Sequence, residues 1–303
     1  MPSRPATAAP PDLRVIAQFL IVTLIWGSTW LVIRTQLGIV PPAWSVAYRF
    51  LLAAAVMIAF CIATGRSLRL EPAGRRFALT VAVLQFAFNF NAVYQSERYL
   101  PSGLVAVVFA LLVVANAGFA WLFLKTPITR QFAAGATLGV LGVAAMFARD
   151  LATSGGTGVM IGIGFVFAGV ISASLANVLQ ATRLGRTLPL EATLATAMLY
   201  GGVLDAAAAW LISGPPVFDV RPVYLAGLVY LAVVASVIAF SLYYALIRAV
   251  GPGRAAYTGV IIPLVALALS TVFEGYRWSW SAALGALLAL SGLAVALRGR
   301  DVS

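Results

Sequence analysis

The sequence predicts an all-α polytopic membrane protein, with ten transmembrane helices arranged as two inverted five-helix repeats. Three observations support this prediction: an extreme apolar composition, ten apolar runs of membrane-spanning length, and a similarity between the two halves of the chain. Of the 303 residues, 62% are hydrophobic and only 10% are charged, whereas about a quarter of an ordinary soluble domain is charged. A soluble core cannot bury so much apolar surface, so lipid must cover part of it.

The ten predicted spans are apolar runs separated by short segments that contain Pro, Gly or charged residues. A transmembrane helix needs roughly 20 apolar residues, and each run is close to that length. In the first half the runs cover residues 17–33, 43–64, 77–95, 103–124 and 132–148. In the second half they cover residues 158–181, 192–212, 224–247, 255–273 and 281–297.

The basic residues predict the orientation of the spans, because Lys and Arg accumulate at their cytoplasmic ends. Fourteen of the 20 basic residues lie on the side that carries the N-terminus and five on the other side, with Arg49 just inside span two. We therefore expect both termini in the cytoplasm. The net charge of +11 is spread over several cytoplasmic segments, which argues against a nucleic-acid partner.

An internal repeat predicts the architecture. Shifting the chain by 150 residues aligns identical residues in the two halves, among them Phe90 with Phe240 and Tyr94 with Tyr244. Each repeat, residues 17–148 and 158–297, holds five spans, and an odd number makes the second repeat enter the membrane from the opposite face. Inverted repeats of this kind are typical of secondary transporters, whose substrate site lies between the halves. The alternative is a duplicated membrane scaffold without transport.

Several kinds of catalytic site are excluded by composition. The chain has no histidine and one cysteine, Cys61, so Ser-His-Asp and Cys-His sites, histidine-ligated zinc and intrachain disulfides are absent. It has no Walker-type loop for ATP. We expect no enzyme activity, no cofactor and no metal ion.

Both halves carry short motifs, which are Trp26-Gly27-Ser28-Thr29-Trp30, Pro41-Pro42, Tyr48-Arg49-Phe50, Gly253-Arg254-Ala255-Ala256, Pro263, Glu274, Gly285 and Gly292. Together they resemble the EamA-type repeat of the drug/metabolite transporter superfamily. The resemblance implies a ten-helix carrier, in the cytoplasmic (inner) membrane, that exports metabolites or amino acids by alternating access. The aromatic content of the chain resembles that of the YddG-like aromatic amino-acid exporters. The chain departs from the family at Lys125-Thr126, where an acidic residue equivalent to Glu274 is often found.

Spans three and eight carry the first set of candidate substrate-binding residues. A polar group inside a membrane needs a partner or a water-filled cavity. One turn of helix separates Gln85 from Asn89 and Phe90 from Tyr94, and the equivalent face of span eight carries Ser236, Phe240 and Tyr244. We expect these residues to line a cavity; the alternatives are helix packing and, for Tyr94, an interfacial anchor.

Spans one, six and nine carry further candidates. Thr29 and Trp30 lie near the middle of span one, and Asn177 is the repeat equivalent of Trp30. An amide in a membrane must be satisfied, so Asn177 either joins two helices or contacts substrate. Asn116 and Tyr257 are similar candidates.

Asp205 is the only carboxylate well inside a predicted span. A buried carboxylate is protonated or paired, so Asp205 is either a proton-coupling residue or a structural one. Arg49 and Arg98 are expected near the outer face, which leaves the membrane midplane without a fixed positive charge. Spans five and ten carry glycines at close spacing and almost no polar groups, which indicates packing helices, within a monomer or across a homodimer.

These features favour a secondary carrier for a small amphipathic metabolite, most simply an amino acid. Aromatic faces with a few amides and hydroxyls suit such a molecule, and an aromatic ring attracts an ammonium group. The partners expected are therefore a small-molecule substrate and the lipid bilayer. The alternatives are a passive channel, a carrier of another metabolite class and, least favoured, an integral-membrane enzyme.

Overall fold

In a computed structural model, which describes residues 13–153, 156–243, 245–246 and 258–298, the chain is a bundle of helices with no β-strand in those residues. We label the long helical segments of this part of the chain α1 to α10. They are α1 Leu13–Thr35, α2 Pro42–Ala63, α3 Pro72–Ser96, α4 Ser102–Leu124, α5 Arg130–Thr153, α6 Thr157–Ala181, α7 Leu190–Ser213, α8 Pro222–Tyr243, α9 Thr258–Phe273 and α10 Trp280–Arg298. A short helix, Arg183–Thr187, lies between α6 and α7.

The predicted all-helical, multi-pass fold is confirmed. Seven of these segments, α1 to α4 and α6 to α8, are long and apolar enough to cross a membrane, while α9 and α10 carry shorter apolar stretches. Lipid offers no hydrogen-bond partners, so a spanning chain must satisfy its backbone within helices. Several starts are set by proline: α2, α3 and α8 begin at Pro42, Pro72 and Pro222, where its fixed φ fits the first turn.

Successive helices run in opposite directions through the bundle. We call the end where α1 begins and α2 ends the N-terminal face, and the end where α1 ends and α2 begins the far face. Contacts between distant parts of the chain follow this division. Trp44 donates from its Nε1 to the Gly214 carbonyl oxygen at the far face, and Arg66 pairs with Glu191 at the N-terminal face.

Both α3 and α8 contain a π-helical segment, over Ala82–Asn89 and Tyr230–Ile238. Within the second, the Ser236 hydroxyl donates to the Leu231 carbonyl oxygen, five residues earlier, at 2.8 Å. A π-helical turn holds more residues than an α-helical turn, so it rotates the residues that follow around the axis. The spacing of apolar residues did not predict either segment.

Helices that are equivalent in the two halves make equivalent contacts. The pair α2 and α7 packs along its length, as does the pair α5 and α10; α1 packs on α9, and its equivalent α6 packs on α4. This pattern agrees with the predicted two repeats, whose limits at 17–148 and 158–297 stay a prediction.

Glycine permits the very close approach of α5 to α10. A Cβ added to Gly142 would lie 2.3 Å from the Ala289 backbone nitrogen, and one added to Gly285 would lie 2.5 Å from the Met146 backbone nitrogen. These two helices therefore pack against each other within one chain, which confirms the packing role predicted for spans five and ten.

We expect Gly142→Ala to destabilise the bundle by about 1–3 kcal/mol, because its methyl group would force the two backbones apart. The matched control is Gly118→Ala in α4, where a Cβ has no neighbour within 4 Å; it should leave stability unchanged or raise it by up to about 1 kcal/mol through helix propensity. Thermal unfolding of both variants in detergent measures the difference. Equal melting temperatures would show that the close contact is not needed.

Candidate functional site

A central cavity of about 170 Å³ lies between the helices. Its lining comes from α1, α2, α3, α4, α6, α8 and α9, and among the described residues none of it comes from α5, α7 or α10. The helices that pack most closely on each other are thus separate from those that form the cavity, apart from α2, which does both.

Seven of the predicted site residues line this cavity. They come from both halves of the chain, as a site between two repeats requires. They are Thr29, Trp30, Gln85, Asn89, Phe90, Asn177 and Phe240.

The other predicted site residues divide into two groups. Tyr94, Ser236 and Asp205 are buried but do not line the cavity. Tyr244 and Tyr257 lie outside the described residues. The tyrosine of α8 that does line the cavity is Tyr243, five residues after Ile238, where the π-helical segment ends.

Arg49 is the most important lining residue that the sequence analysis missed. It was expected near the outer face, and that expectation was wrong: Arg49 lines the cavity with 2% of its surface exposed. A position one or two turns inside a span does not show whether a side chain turns towards water or the centre of the bundle. The Tyr48-Arg49-Phe50 motif was the available signal.

The Arg49 guanidinium is held by neighbours on three helices. Its Nε donates to the Ser236 hydroxyl at 3.2 Å, and its central carbon lies 4.4 Å from the Phe90 ring centroid and 5.3 Å from that of Phe50. Tyr94, fully buried, lies beside it. Ser236 therefore positions Arg49 rather than lines the cavity, and Tyr94 lies beside the guanidinium with its hydroxyl unpartnered among the described residues.

An aromatic wall forms another part of the cavity lining. The Trp26 ring packs 5.3 Å from Phe240 and 4.8 Å from Tyr243, and its Nε1 donates to the Ala235 carbonyl oxygen at 3.2 Å. Trp30 packs 5.3 Å from Phe109. The span-one motif thus supplies two indoles to one cavity, held against different helices.

Three polar atoms of lining residues have no hydrogen-bond partner in the described part of the chain. They are Arg49 Nη1, Trp30 Nε1 and Asn89 Oδ1. Unsatisfied polar groups are costly inside a membrane protein. The first two atoms are donors and the third is an acceptor, which lies 3.2 Å from the position of a Cβ added to Gly169 on α6. Asn177 has a partner, because its amide donates to Asn116 Oδ1 at 3.4 Å.

The cavity is closed at the far face. At its far-face end Ile33, Arg49 and Val93 are buried. Towards the N-terminal face Asn177 and Tyr243 are half-buried and Thr258 is 2% exposed.

Asp205 lies at the contact between α7 and α3. Its Oδ1 accepts a hydrogen bond of 2.7 Å from the Asn91 amide, which also donates to the Ala87 carbonyl oxygen at 2.9 Å. Asp205 is 1% exposed and is separate from the cavity lining. The hydrogen bond from Asn91 fits the structural alternative, whereas Oδ2, which has no hydrogen-bond partner among the described residues, fits proton coupling.

The family relationship agrees with this architecture. The sequence profile of the EamA-like transporter family matches residues 13–148 and again residues 160–298. The chain belongs to the EamA-like transporter family. It is therefore a transporter, and the names of the family and of similar proteins indicate transport rather than an enzyme activity.

Individual relatives are similar at low identity over most of the chain. Protein PagO of Salmonella typhimurium is 25% identical over 284 residues, covering 94% of this chain and 93% of that protein. The uncharacterized inner membrane transporter YedA of Escherichia coli is 30% identical over 83% of this chain and 80% of its own length. A probable amino-acid metabolite efflux pump of Salmonella typhimurium is 24% identical, covering 92% and 93%.

The fold also matches a known crystal structure, with a TM-score of 0.70. The match covers 95% of this chain and 99% of the other, at 21% sequence identity. This similarity concerns the fold alone.

For Asp205→Asn we expect transport with an unchanged pH profile, because an amide preserves the contact with Asn91 and the site is separate from the cavity. Asp205→Ala should cost about 1–3 kcal/mol, since it leaves a buried amide with one partner fewer. Thermal unfolding and the pH dependence of uptake test the two statements. Loss of pH dependence in Asp205→Asn would restore Asp205 as the coupling residue.

Proposed function

We propose that this transporter is a secondary carrier for neutral amino acids, aromatic ones among them, which it exports across the inner membrane by alternating access. The observation that carries the proposal is the buried Arg49 at the cavity, beside an aromatic wall. The direction of net transport follows the concentration gradients, so export requires substrate to accumulate inside.

The carboxylate of an amino acid is the natural partner of Arg49. Arg49 is 2% exposed, and its Nη1 has no hydrogen-bond partner in the described part of the chain. A planar guanidinium binds a carboxylate through paired hydrogen bonds. Trp30 Nε1 supplies another donor at the same cavity. A single arginine suits one carboxylate better than the multiple charge of a phosphorylated metabolite.

The ammonium and side chain of an amino acid fit the rest of the lining. Asn89 Oδ1 is an acceptor without a partner in the described residues, and the faces of Trp26 and Phe240 attract a cation or stack on an aromatic ring. Sequence similarity to a probable amino-acid metabolite efflux pump supports the same substrate class.

Alternating access and orientation complete the proposal. A cavity closed at the far face corresponds to one state of a carrier that opens to each side in turn. The distribution of Lys and Arg supports a cytoplasmic N-terminal face, and the inner-membrane name of a relative, YedA, supports the location. In this arrangement the present state faces the cytoplasm.

A substrate panel in proteoliposomes tests the class directly. We expect saturable exchange of labelled neutral amino acids and no competition by nucleotide sugars. Ohmic currents without saturation would instead identify a channel. Failure of all twenty amino acids to be transported or to compete would overturn the substrate assignment and leave the family assignment intact.

The Arg49→Gln variant tests the carboxylate contact. We expect its KM for an amino acid to rise about 10- to 150-fold, the effect of losing a buried hydrogen bond to a charged group of about 1.5–3 kcal/mol. Arg49→Lys should recover part of the affinity, because it keeps the charge but not the planar fork.

Two controls make the Arg49 result specific. Arg98→Gln removes an exposed arginine at the far face that donates to Gln95 Oε1, and it should transport as the wild type does. Competition by an aromatic amine without a carboxylate should be equal in the wild type and in Arg49→Gln. An amine that loses affinity along with the amino acid would show that Arg49 supports the fold of the site and not the carboxylate.

A further inference from the structure

A pair of carboxylates, Glu97 and Glu274, lies beyond the cavity at the far face. Glu97 directly follows α3, and Glu274 directly follows α9. Arg34 at the end of α1 joins them, because its Nη1 donates to the Glu97 carbonyl oxygen and its Nε lies 3.9 Å from Glu274 Oε1. The cluster thus ties together the ends of the helices that close the cavity.

Glu274 has hydrogen-bond partners on one carboxyl oxygen, Oε2, while Oε1 has none among the described residues and lies 3.9 Å from Arg34 Nε. Its Oε2 accepts hydrogen bonds from the Ser102 backbone N–H at 3.3 Å, from the Ser102 hydroxyl at 2.7 Å and from the Ser270 hydroxyl. Together with Arg34, these donors stabilise a negative charge at this position. Glu274 also fixes the start of α4 to the end of α9.

Glu97 differs from Glu274 in the hydrogen bonding of its carboxyl group. It is 0% exposed, and neither Oε1 nor Oε2 has a hydrogen-bond partner among the described residues. An isolated buried carboxylate is far too costly to remain charged. The charged and titratable groups that face it are Glu274, Arg34 on α1, Arg49 on α2 and Tyr94 on α3.

The electrostatic balance around Glu97 favours its neutral form. Burial and the neighbouring Glu274 carboxylate raise the pKa of Glu97 well above its ordinary value, against the opposing effect of Arg34 and Arg49. Arg34 already lies near Glu274 and donates to the Glu97 backbone carbonyl oxygen. Arg49 donates to the Ser236 hydroxyl at the cavity. Neither arginine hydrogen-bonds the Glu97 carboxyl group.

We propose that Glu97 is a proton-binding site whose occupation is required for the far face of the carrier to close. When that face is closed, Glu97 is buried and must hold a proton. When it opens, water reaches the carboxyl group and the proton can leave to that side.

This site couples the transport cycle to pH on one side of the membrane. A proton that binds the closed state more tightly stabilises that state at low pH, and the stabilisation is lost as the pH rises through the closed-state pKa of Glu97. For one proton, the ratio of open to closed molecules rises by at most about tenfold for each pH unit. The proposal rests on alternating access and is independent of which substrate is carried.

Distances between spin labels across the far face provide the test. We would replace Cys61, which is buried, by Ala, and place one label at Trp280→Cys and the other at Val220→Cys or Ile39→Cys. These three residues are exposed, at 93%, 82% and 55%, and lie at the starts of α10 and α8 and between α1 and α2. Buffers between pH 5 and 9, with choline in place of sodium, would isolate the effect of the proton.

In the labelled wild type we expect one short distance at low pH and a growing population of longer distances as pH rises. Glu97→Gln, which mimics the protonated side chain, should keep the short distance at every pH. The matched control is Glu71→Gln, at an exposed glutamate before α3, which should titrate like the wild type.

Three outcomes would overturn the proposal. A wild-type distance that does not change with pH would do so without any variant, even if Glu97→Gln failed to fold. A pH response that persists in Glu97→Gln would move the titrating group elsewhere, and a response to sodium at constant pH would identify a metal-cation site. Because no substrate is added, these results are separate from those of the amino-acid panel.

Discussion

The site depends on one constraint, the burial of a permanent positive charge in an apolar bundle. Arginine keeps its charge even in such surroundings, so the fold must supply neighbours for Arg49: the Ser236 hydroxyl, the rings of Phe50 and Phe90, and Tyr94. These neighbours leave Nη1 unpaired within the described chain. A transporter that keeps an incompletely paired cation at its cavity is prepared to receive an anionic group that completes the pairing.

The size of the residues at the helix contacts separates the closely packed helices from those that line the cavity. In α5 and α10, glycine lets two backbones approach so closely that a single methyl group would collide with main-chain atoms. In α1, α3 and α8, large aromatic residues hold the helices apart and leave the cavity between them. Without a hydrophobic driving force between helices in lipid, such differences in packing determine which helices form a rigid frame and which surround a substrate.

Three acidic residues show how environment decides the role of a carboxyl group. Asp205 accepts a hydrogen bond from Asn91 and joins two helices. Glu274 accepts hydrogen bonds from two serines through Oε2 and lies near Arg34, so it joins the ends of three helices. Glu97 is buried without partners for its carboxyl oxygens in the described residues, which makes it the one whose protonation must change when water arrives. Sequence position suggested only the first of these as a coupling group, because it alone lies deep inside a span.

Composition and periodicity by themselves determined the all-helical membrane fold, the close packing of spans five and ten, and seven residues of the cavity, including Trp30, Asn89 and Phe240. These features follow from the length of apolar runs and from local helix geometry, which a sequence records directly. Tertiary structure alone decided that Arg49 faces inward, that Ser236 and Tyr94 support it, and that Glu97 is buried. Those outcomes depend on the π-helical rotation of α3 and α8 and on contacts between residues far apart in the chain, such as Arg49 with Ser236, and no local pattern encodes them.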